Sequence, residues 1–314
     1  MTAPAFVAGD WGTSHLRLSL CDEQGRVLET RKGQGVSAAR ADVAGEFASA
    51  VGAWSVHGPL PAVLCGMVGS TIGWHEVRYL PCPIRPEMVA TGVHRFTADG
   101  RDVLIAPGLS CRNKLMAPDV MRGEETQILG ALRLDPQLAR ERHVLCLPGT
   151  HTKWVSLKDG VIEYFLTAIS GEMFDLILRH SVLVNSKDKV DVVGGPAFRR
   201  ALEKTKIYPD AELTHLLFEV RSGQLVGELK QLEAADFLSG LIIGQDVSGM
   251  RRFFRKDLEE SHGVVVISTP QLGALYSEAL RARDIGVRTM DGDEASVAGL
   301  SALYHALHGV GHAA

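Results

Sequence analysis

Apolar positions near the N-terminus fall into a strand meander. Phe6 to Gly9 is a short apolar run, and Leu16, Leu18 and Leu20 then alternate with His15, Arg17 and Ser19, as a half-buried strand requires. Asp22-Glu23-Gln24-Gly25 predicts a turn, and Arg26 to Thr30 a third strand. An amphipathic helix is predicted at about Ala41 to Trp54, followed by a buried strand at Ala62 to Cys65. A meander that gives way to strands alternating with helices predicts a mixed sheet packed with helices.

From Pro107 to Pro118 the pattern breaks into turn formers with no apolar period, which predicts a domain boundary dividing the chain into residues 1–112 and 113–314. Beyond it Gly123-Glu124-Glu125-Thr126 opens a helix, and His143 to Leu147 reads as a strand. A turn at Pro148-Gly149-Thr150-His151 leads into a second strand, Lys153 to Leu157, and Asp159-Gly160 turns that into a third, Val161 to Thr167. The second domain therefore begins its sheet as the first does, and two related halves facing each other are expected. Helices are predicted at Glu172–Leu183, Leu232–Phe254, Leu272–Ala282 and Glu294–His308, with a buried strand at Gly263–Ser268. Gly240 and Gly244 within the long helix read as points of close helix packing.

Length and composition narrow the class. At 314 residues, with 46% hydrophobic and 22% charged positions, two cores are expected rather than one. A formal charge of −4 attracts no polyanion, so a nucleic acid is not an expected partner. No apolar run approaches the roughly 20 residues that cross a bilayer, and MTAPAFVAGDWGTS lacks a basic start and a long apolar stretch, so neither membrane nor secretion is expected. Cys21, Cys65, Cys82, Cys111 and Cys146 form no Cys-x-x-Cys pair, and a reducing cytoplasm fits best. His305, His308 and His312 read as a solvated tail rather than a metal site, and a homodimer is left open.

Four segments carry chemistry. In Gly9-Asp10-Trp11-Gly12-Thr13-Ser14 a buried strand ends in an aspartate and a glycine turn with two hydroxyls. Such a turn can aim N–H groups, Thr13 and Ser14 at phosphate oxygens while Asp10 faces a metal-bound water; read alone it is equally a plain hairpin. Pro148-Gly149-Thr150-His151-Thr152-Lys153 repeats that logic, with Lys153 able to neutralise phosphate charge. Two matched turns are explained together by a triphosphate held between them. In Arg122-Gly123-Glu124-Glu125 the carboxylates suit a helix N-terminus, but one of them can also take the proton of an attacking hydroxyl, with Arg122 holding an anionic substrate. Gly66 to Trp74, with Gly69, Ser70 and the Trp74 indole, suits a polyhydroxylated substrate, although an ordinary strand–helix loop also accounts for it.

Taken together, GDWGTS, GMVGSTIGW, VMRGEETQILGA, LPGTHTKWV, SGEMFDLILRHSVL, LFEVRS and FLSGLIIGQDV resemble the 2-dehydro-3-deoxygalactonokinase family, in order from Asp10 to about Leu300. The resemblance implies an α/β fold of two ribonuclease-H-like domains, of the actin, hexokinase and sugar-kinase type, with a cleft between them. It implies transfer of phosphate from ATP, with Mg²⁺, to the small sugar acid 2-dehydro-3-deoxy-D-galactonate, giving its 6-phosphate and ADP in galactose or galactonate catabolism.

Carried over by residue, Asp10, Gly12, Thr13 and Ser14 form the first phosphate motif, and Gly149, Thr150, His151 and Lys153 the second. Gly123-Glu124 is similar in position to the Gly-Asp dipeptide that supplies the base in FGGY sugar kinases. The expected base is Glu124, with Glu125 the alternative, and Asp10 is the expected Mg²⁺ ligand through water. Arg122, with Arg17 behind it, is expected to meet the substrate carboxylate beside Gly69, Ser70 and Trp74. One departure stands out: where the family has a glycine turn against adenosine, this chain reads Val266-Ile267-Ser268-Thr269-Pro270-Gln271-Leu272. Rival readings are a kinase for another sugar acid and a nucleotide-dependent sensor that has lost the chemistry. The chain carries no helix-turn-helix extension or cysteine-rich loop to favour the sensor.

Overall fold

A computed structural model describes residues 2–184 and 192–309. The chain opens with β1 (Pro4–Trp11), β2 (His15–Asp22) and β3 (Val27–Gln34), then the short α1 (Val36–Ala39) and α2 (Val43–Val51), and β4 (Ala62–Gly66). Short strands follow: β5 (Leu80–Pro81), β6 (His94–Ala98), β7 (Arg101–Ile105), β8 (Leu109–Arg112) and β9 (Pro118–Met121), the last feeding α3 (Glu124–Leu134). A second set comprises β10 (Arg142–Leu147), β11 (Thr152–Lys158), β12 (Val161–Ala168) and α4 (Ser170–His180). The helices α5 (Pro196–Ile207), α6 (Leu213–Leu225), α7 (Ala234–Phe253) and α8 (Arg255–Glu260) come next. The chain then runs through β13 (Val264–Ser268), α9 (Pro270–Arg281), β14 (Val287–Asp291) and α10 (Gly292–His308).

Two sheets share one strand order. The first runs β3-β2-β1-β4-β7-β6 and the second β12-β11-β10-β13-β14. In the first, β1 pairs antiparallel with β2 and parallel with β4, which pairs parallel with β7. In the second, β10 pairs parallel with β13, and β13 with β14. Each sheet is thus a meander of three strands extended by two crossovers, the ribonuclease-H-like order, and β6 adds an antiparallel edge to the first. The buried faces explain why these segments are strands: all five residues of β4 and of β13 are buried.

By contacts the chain forms two compact units. The first comprises residues 1–141, 157–165 and 292–314, and the second 142–156 and 166–291. This division runs differently from the chain-order split at residue 112. The cause is the pairing of α3 with α10, both in the first unit: a Cβ on Gly130 would lie 1.8 Å from the Ala295 carbonyl oxygen, and one on Gly299 would lie 2.0 Å from that of Thr126. Glycine on each helix lets the backbones touch, and that contact joins residues 165 (Gly130 to Ala295) and 173 (Thr126 to Gly299) positions apart.

Two local expectations need correction. The stretch from Pro107 to Pro118, read as turn formers without an apolar period, is a hairpin: β8 pairs with β9, and Asn113 shapes its turn by accepting the N–H groups of Leu115 at 2.9 Å and Ala117 at 3.2 Å. The side chains that make the segment look like a loop are those that fold the turn. Nor are the histidines of α10 a solvated tail, since His305 meets the Glu23 carbonyl at 2.7 Å and His308 stacks on Tyr304 with centroids 4.6 Å apart; His312 lies outside the described residues. The departure noted after β13 takes a definite form: Thr269 is the N-cap of α9 and Pro270 its first helical residue, a position that suits proline.

In the second unit Gly240 and Gly244 of α7 do mark close packing: a Cβ there would fall 2.5 Å from the Phe198 carbonyl oxygen and 2.2 Å from the Thr205 hydroxyl of α5. Among the described residues no helix is long and apolar enough to cross a membrane.

Candidate active site

In the first unit, strand register alone sets the neighbourhood of Asp10: it pairs with Arg17 on β2 and with Cys65 on β4. Burial pushes the Asp10 carboxyl above the ordinary carboxylate range; Arg17 opposes that, the Glu124 charge adds to it, and Ser296 of α10 and Cys65 lie beside it. Asp10, Arg17 and Glu124 therefore share one electrostatic environment at the carboxyl end of β1. Arg17 also pairs with Asp293, so its charge is divided between two carboxylates. Cys65 and Ser296 are neighbours that the linear sequence does not reveal, because each lies on a separate element.

The turn after Asp10 is closed by the Gly12 N–H bonding to the His15 carbonyl at 2.9 Å, and α1 seats on it through Val36 N–H to Gly12 at 3.0 Å. Thr13 and Ser14 stand exposed at its tip. They are free to meet a ligand from solvent, as an anion-receiving turn requires.

The acidic pair is divided by burial. Gly123, at φ +106°, brings α3 against the end of β4, where the Cβ it lacks would lie 3.4 Å from the Cα of Gly66. Glu124 is half-exposed and accepts the Arg122 N–H at 3.0 Å. Glu125 is fully buried, accepting the Gly123 N–H at 2.7 Å and the Thr126 hydroxyl at 3.1 Å. Burial, reinforced by the Glu124 charge, raises the Glu125 carboxyl to about 8. A buried acid that holds its proton at neutral pH is a different group from its half-exposed neighbour Glu124, which keeps access to solvent.

Arg122 stacks over Tyr79, its guanidinium carbon 4.4 Å from the ring centroid, and its Nη2 donates to the Val77 carbonyl at 2.6 Å. Its Nε and Nη1 are buried without a hydrogen-bond partner. The other side chains of this loop are engaged in its own packing. Ser70 donates to the Met67 carbonyl at 2.7 Å, and the Trp74 ring packs against Phe47 and Phe96 with centroids 5.2 and 5.0 Å away.

In the second unit the turn at Gly149–His151 presents Thr150 and His151 at the surface, while Lys153 is buried and donates to the His151 carbonyl at 3.1 Å. The first turn of α4 clasps it. Glu172 N–H donates to Thr150 at 2.9 Å, and the Glu172 carboxylate meets His151 Nε2 at 2.5 Å. Beside the turn lies a cavity of about 290 Å³ walled by Gly149, Phe174, Ile243, Leu272 and Tyr276, with Ser170 and Thr269 as polar points. Behind it Asp246 bonds Trp154, Ser170 and Tyr276. Sequence reasoning passed over Asp246, although an acid inside the otherwise apolar FLSGLIIGQDV helix was a signal.

Two sheets of one strand order, each with a glycine–hydroxyl turn between its first two strands, define the duplicated ribonuclease-H-like architecture of the actin and sugar-kinase class. The family described as 2-keto-3-deoxy-galactonokinase matches residues 10–303, and the chain belongs to that family of sugar-acid kinases. A protein of Rhizobium meliloti (strain 1021) assigned as a 2-dehydro-3-deoxygalactonokinase is 39% identical over 310 residues, 98% of each chain. The 2-dehydro-3-deoxygalactonokinase of Escherichia coli (strain K12) is 33% identical over 309 residues, 98% of this chain and 99% of that one. A crystal structure of a Sinorhizobium meliloti protein with the same assignment superposes with a TM-score of 0.87 at 38% identity, over 98% of each chain.

Proposed function

We propose that this chain transfers the γ-phosphoryl group of ATP to the 6-hydroxyl of 2-dehydro-3-deoxy-D-galactonate, releasing ADP. The observation that carries the reading is the family match across residues 10–303, which takes in Asp10, Glu124 and the Gly149–Lys153 turn together. When bound, Mg²⁺ and ATP supply the phosphoryl group and the counter-charge on its oxygens.

The residues fit that pair. Mg²⁺ prefers one or two carboxylates plus phosphate oxygens and water to an all-protein cage. Among the described residues no group of three or more His, Cys, Asp or Glu converges as such a cage, and Asp10, a strand-end carboxylate with Glu124 in its electrostatic neighbourhood, suits the hydrated ion. With Gly12 closing the first turn, the tips Thr13–Ser14 and Gly149–His151 offer N–H and hydroxyl donors to phosphate oxygens. Glu124 accepts the proton of the attacking hydroxyl. The unpaired Nε and Nη1 of Arg122 are buried donors in want of an acceptor, and the charge of a substrate carboxylate suits them. Arg17, already shared between Asp293 and Asp10, is the weaker candidate for that role.

An ADP-release assay tests the reading with 2-dehydro-3-deoxygalactonate, its gluconate-derived epimer, galactonate and galactose as acceptors. Turnover highest with the first is expected. A different best acceptor would transfer the chemistry to another sugar acid, and ATP binding without turnover on any acceptor would leave a sensor.

A further inference from the structure

The second unit contains a buried carboxylate that the proposed transfer does not use directly. Asp246 lies on α7, and its Oδ1 accepts the Trp154 indole N–H of β11 at 2.8 Å. Its Oδ2 accepts the Ser170 hydroxyl of α4 at 2.7 Å and the Tyr276 hydroxyl of α9 at 2.9 Å. Because the Tyr276 proton points to Asp246, the Thr152 hydroxyl, 2.8 Å from the Tyr276 oxygen, must donate to it. One charge therefore fixes the direction of three hydroxyls and joins four elements.

What those elements hold is the Gly149–His151 turn. Ser170 opens α4, whose N-terminus has no side-chain cap of its own. The next two residues carry the turn: a Cβ on Gly171 would fall 2.3 Å from the Gly149 carbonyl oxygen, and Glu172 bonds Thr150 and His151. Thr152 is the residue at which the turn enters β11. Ser170 and Tyr276 also face the 290 Å³ cavity beside Gly149. The three partners of Asp246 are neutral donors, and an apolar residue would serve stability at less cost than a buried carboxylate. Directed donors are what the acid provides in return.

We infer that Asp246 is a positioning residue for the second phosphate turn. Acting through Ser170, it sets the first turn of α4 against Gly149–His151, and through Tyr276 and Thr152 it locks the strand that leaves the turn. The inference rests on the proposed use of ATP, and it assigns Asp246 no contact with substrate.

The test uses the full chain with Ser170→Ala, Ser170→Thr, Asp246→Asn and the Ala/Asn double variant. Direct ATP binding is measured by calorimetry, both substrates are varied in steady-state assays, and amide exchange is followed without ligand. Ser170→Ala should weaken ATP binding and raise its KM by roughly 10-fold, with the sugar-acid KM within about twofold and Tm within about 2 °C. Ligand-free exchange should quicken at Glu172 and its neighbours, and Ser170→Thr should restore all three readouts. Asp246→Asn keeps the shape but turns a hydroxyl round, and the double variant should be no worse than the poorer single one.

Unchanged ATP binding and exchange in Ser170→Ala would overturn the inference, as would equal loss for both substrates or multiplicative loss in the double variant. If Asp246→Asn does not fold, the Ser170 pair decides. Wild-type ATP binding without sugar-acid turnover would count against the proposed reaction alone, because the exchange and binding readouts need no acceptor.

Discussion

Gly69 stands where it leaves room for Arg122: a Cβ at that position would lie 2.8 Å from the arginine Nη1 and 3.0 Å from Ile105. The loop thus contributes an absence of side chain, and the guanidinium lies between that gap and the Tyr79 ring. Arg122→Ala should raise the sugar-acid KM by roughly 10- to 100-fold with a smaller change for ATP, since a charge-assisted contact is removed. Lysine should not rescue it, since an ammonium cannot stack flat on Tyr79, donate to Val77 and meet the substrate at once. Gly69→Ala should shift the flexible arginine and give an intermediate KM. Equal KM values in wild type and Arg122→Ala would end the carboxylate assignment.

Glu124 and Glu125 are adjacent in sequence and opposite in environment. Glu124→Gln should lower kcat by about 10²–10⁴-fold while ATP binding stays near wild type, the signature of a lost general base. Comparable losses in turnover and in ATP affinity would make the residue structural instead. Rapid-quench measurement of the chemical step against calorimetric ATP binding separates the two outcomes.

Glu125 makes a prediction about pH rather than rate. Its carboxyl is raised from an ordinary 4.5 to about 8 in the folded chain, so between those values the native state holds a proton that the unfolded state has released. Stability from this group is therefore undiminished below about 4.5 and falls as pH rises towards 8, with a slope of up to roughly 1.4 kcal/mol per pH unit. Glu125→Gln cannot ionise and should flatten that slope. Denaturant melts at pH 5 and pH 8 should show the variant gaining on wild type at the higher pH; a constant difference would mean that Glu125 does not titrate in that window.

Local signals were readable where chemistry and strand period coincide. The β1–β2 and β10–β11 hairpins and the helix start at Gly123 are each set by residues within a few positions of one another, and Gly240 and Gly244 signal close packing by their spacing on one helix, although their partners Phe198 and Thr205 are distant in the chain. The β8–β9 hairpin was obscured because Asn113 shapes a turn with the same side chain that suggests a loop. Ser296 beside Asp10, and Ser170 beside Asp246, join residues 286 and 76 positions apart, and no local period encodes such meetings. The contact division into units is non-local for the same reason, since the last helix returns to α3.

That return provides a test in which two effects of opposite sign compete. Glycine inside a helix costs about 0.5–1 kcal/mol relative to alanine, so Gly→Ala should stabilise wherever the new methyl group has room. Gly249 of α7 has nothing within 4 Å of where its Cβ would be, and Gly249→Ala should gain that amount in denaturant melts. Gly130 has the same propensity term, but its Cβ would lie 1.8 Å from the Ala295 carbonyl oxygen, a backbone atom that cannot rotate away. Overpacking of this kind typically costs about 1–3 kcal/mol, enough to reverse the sign. Gly130→Ala should therefore destabilise while Gly249→Ala stabilises. Should both variants gain stability, α3 and α10 would not be in backbone contact, and the grouping of the C-terminal helix with the first sheet would fail with it.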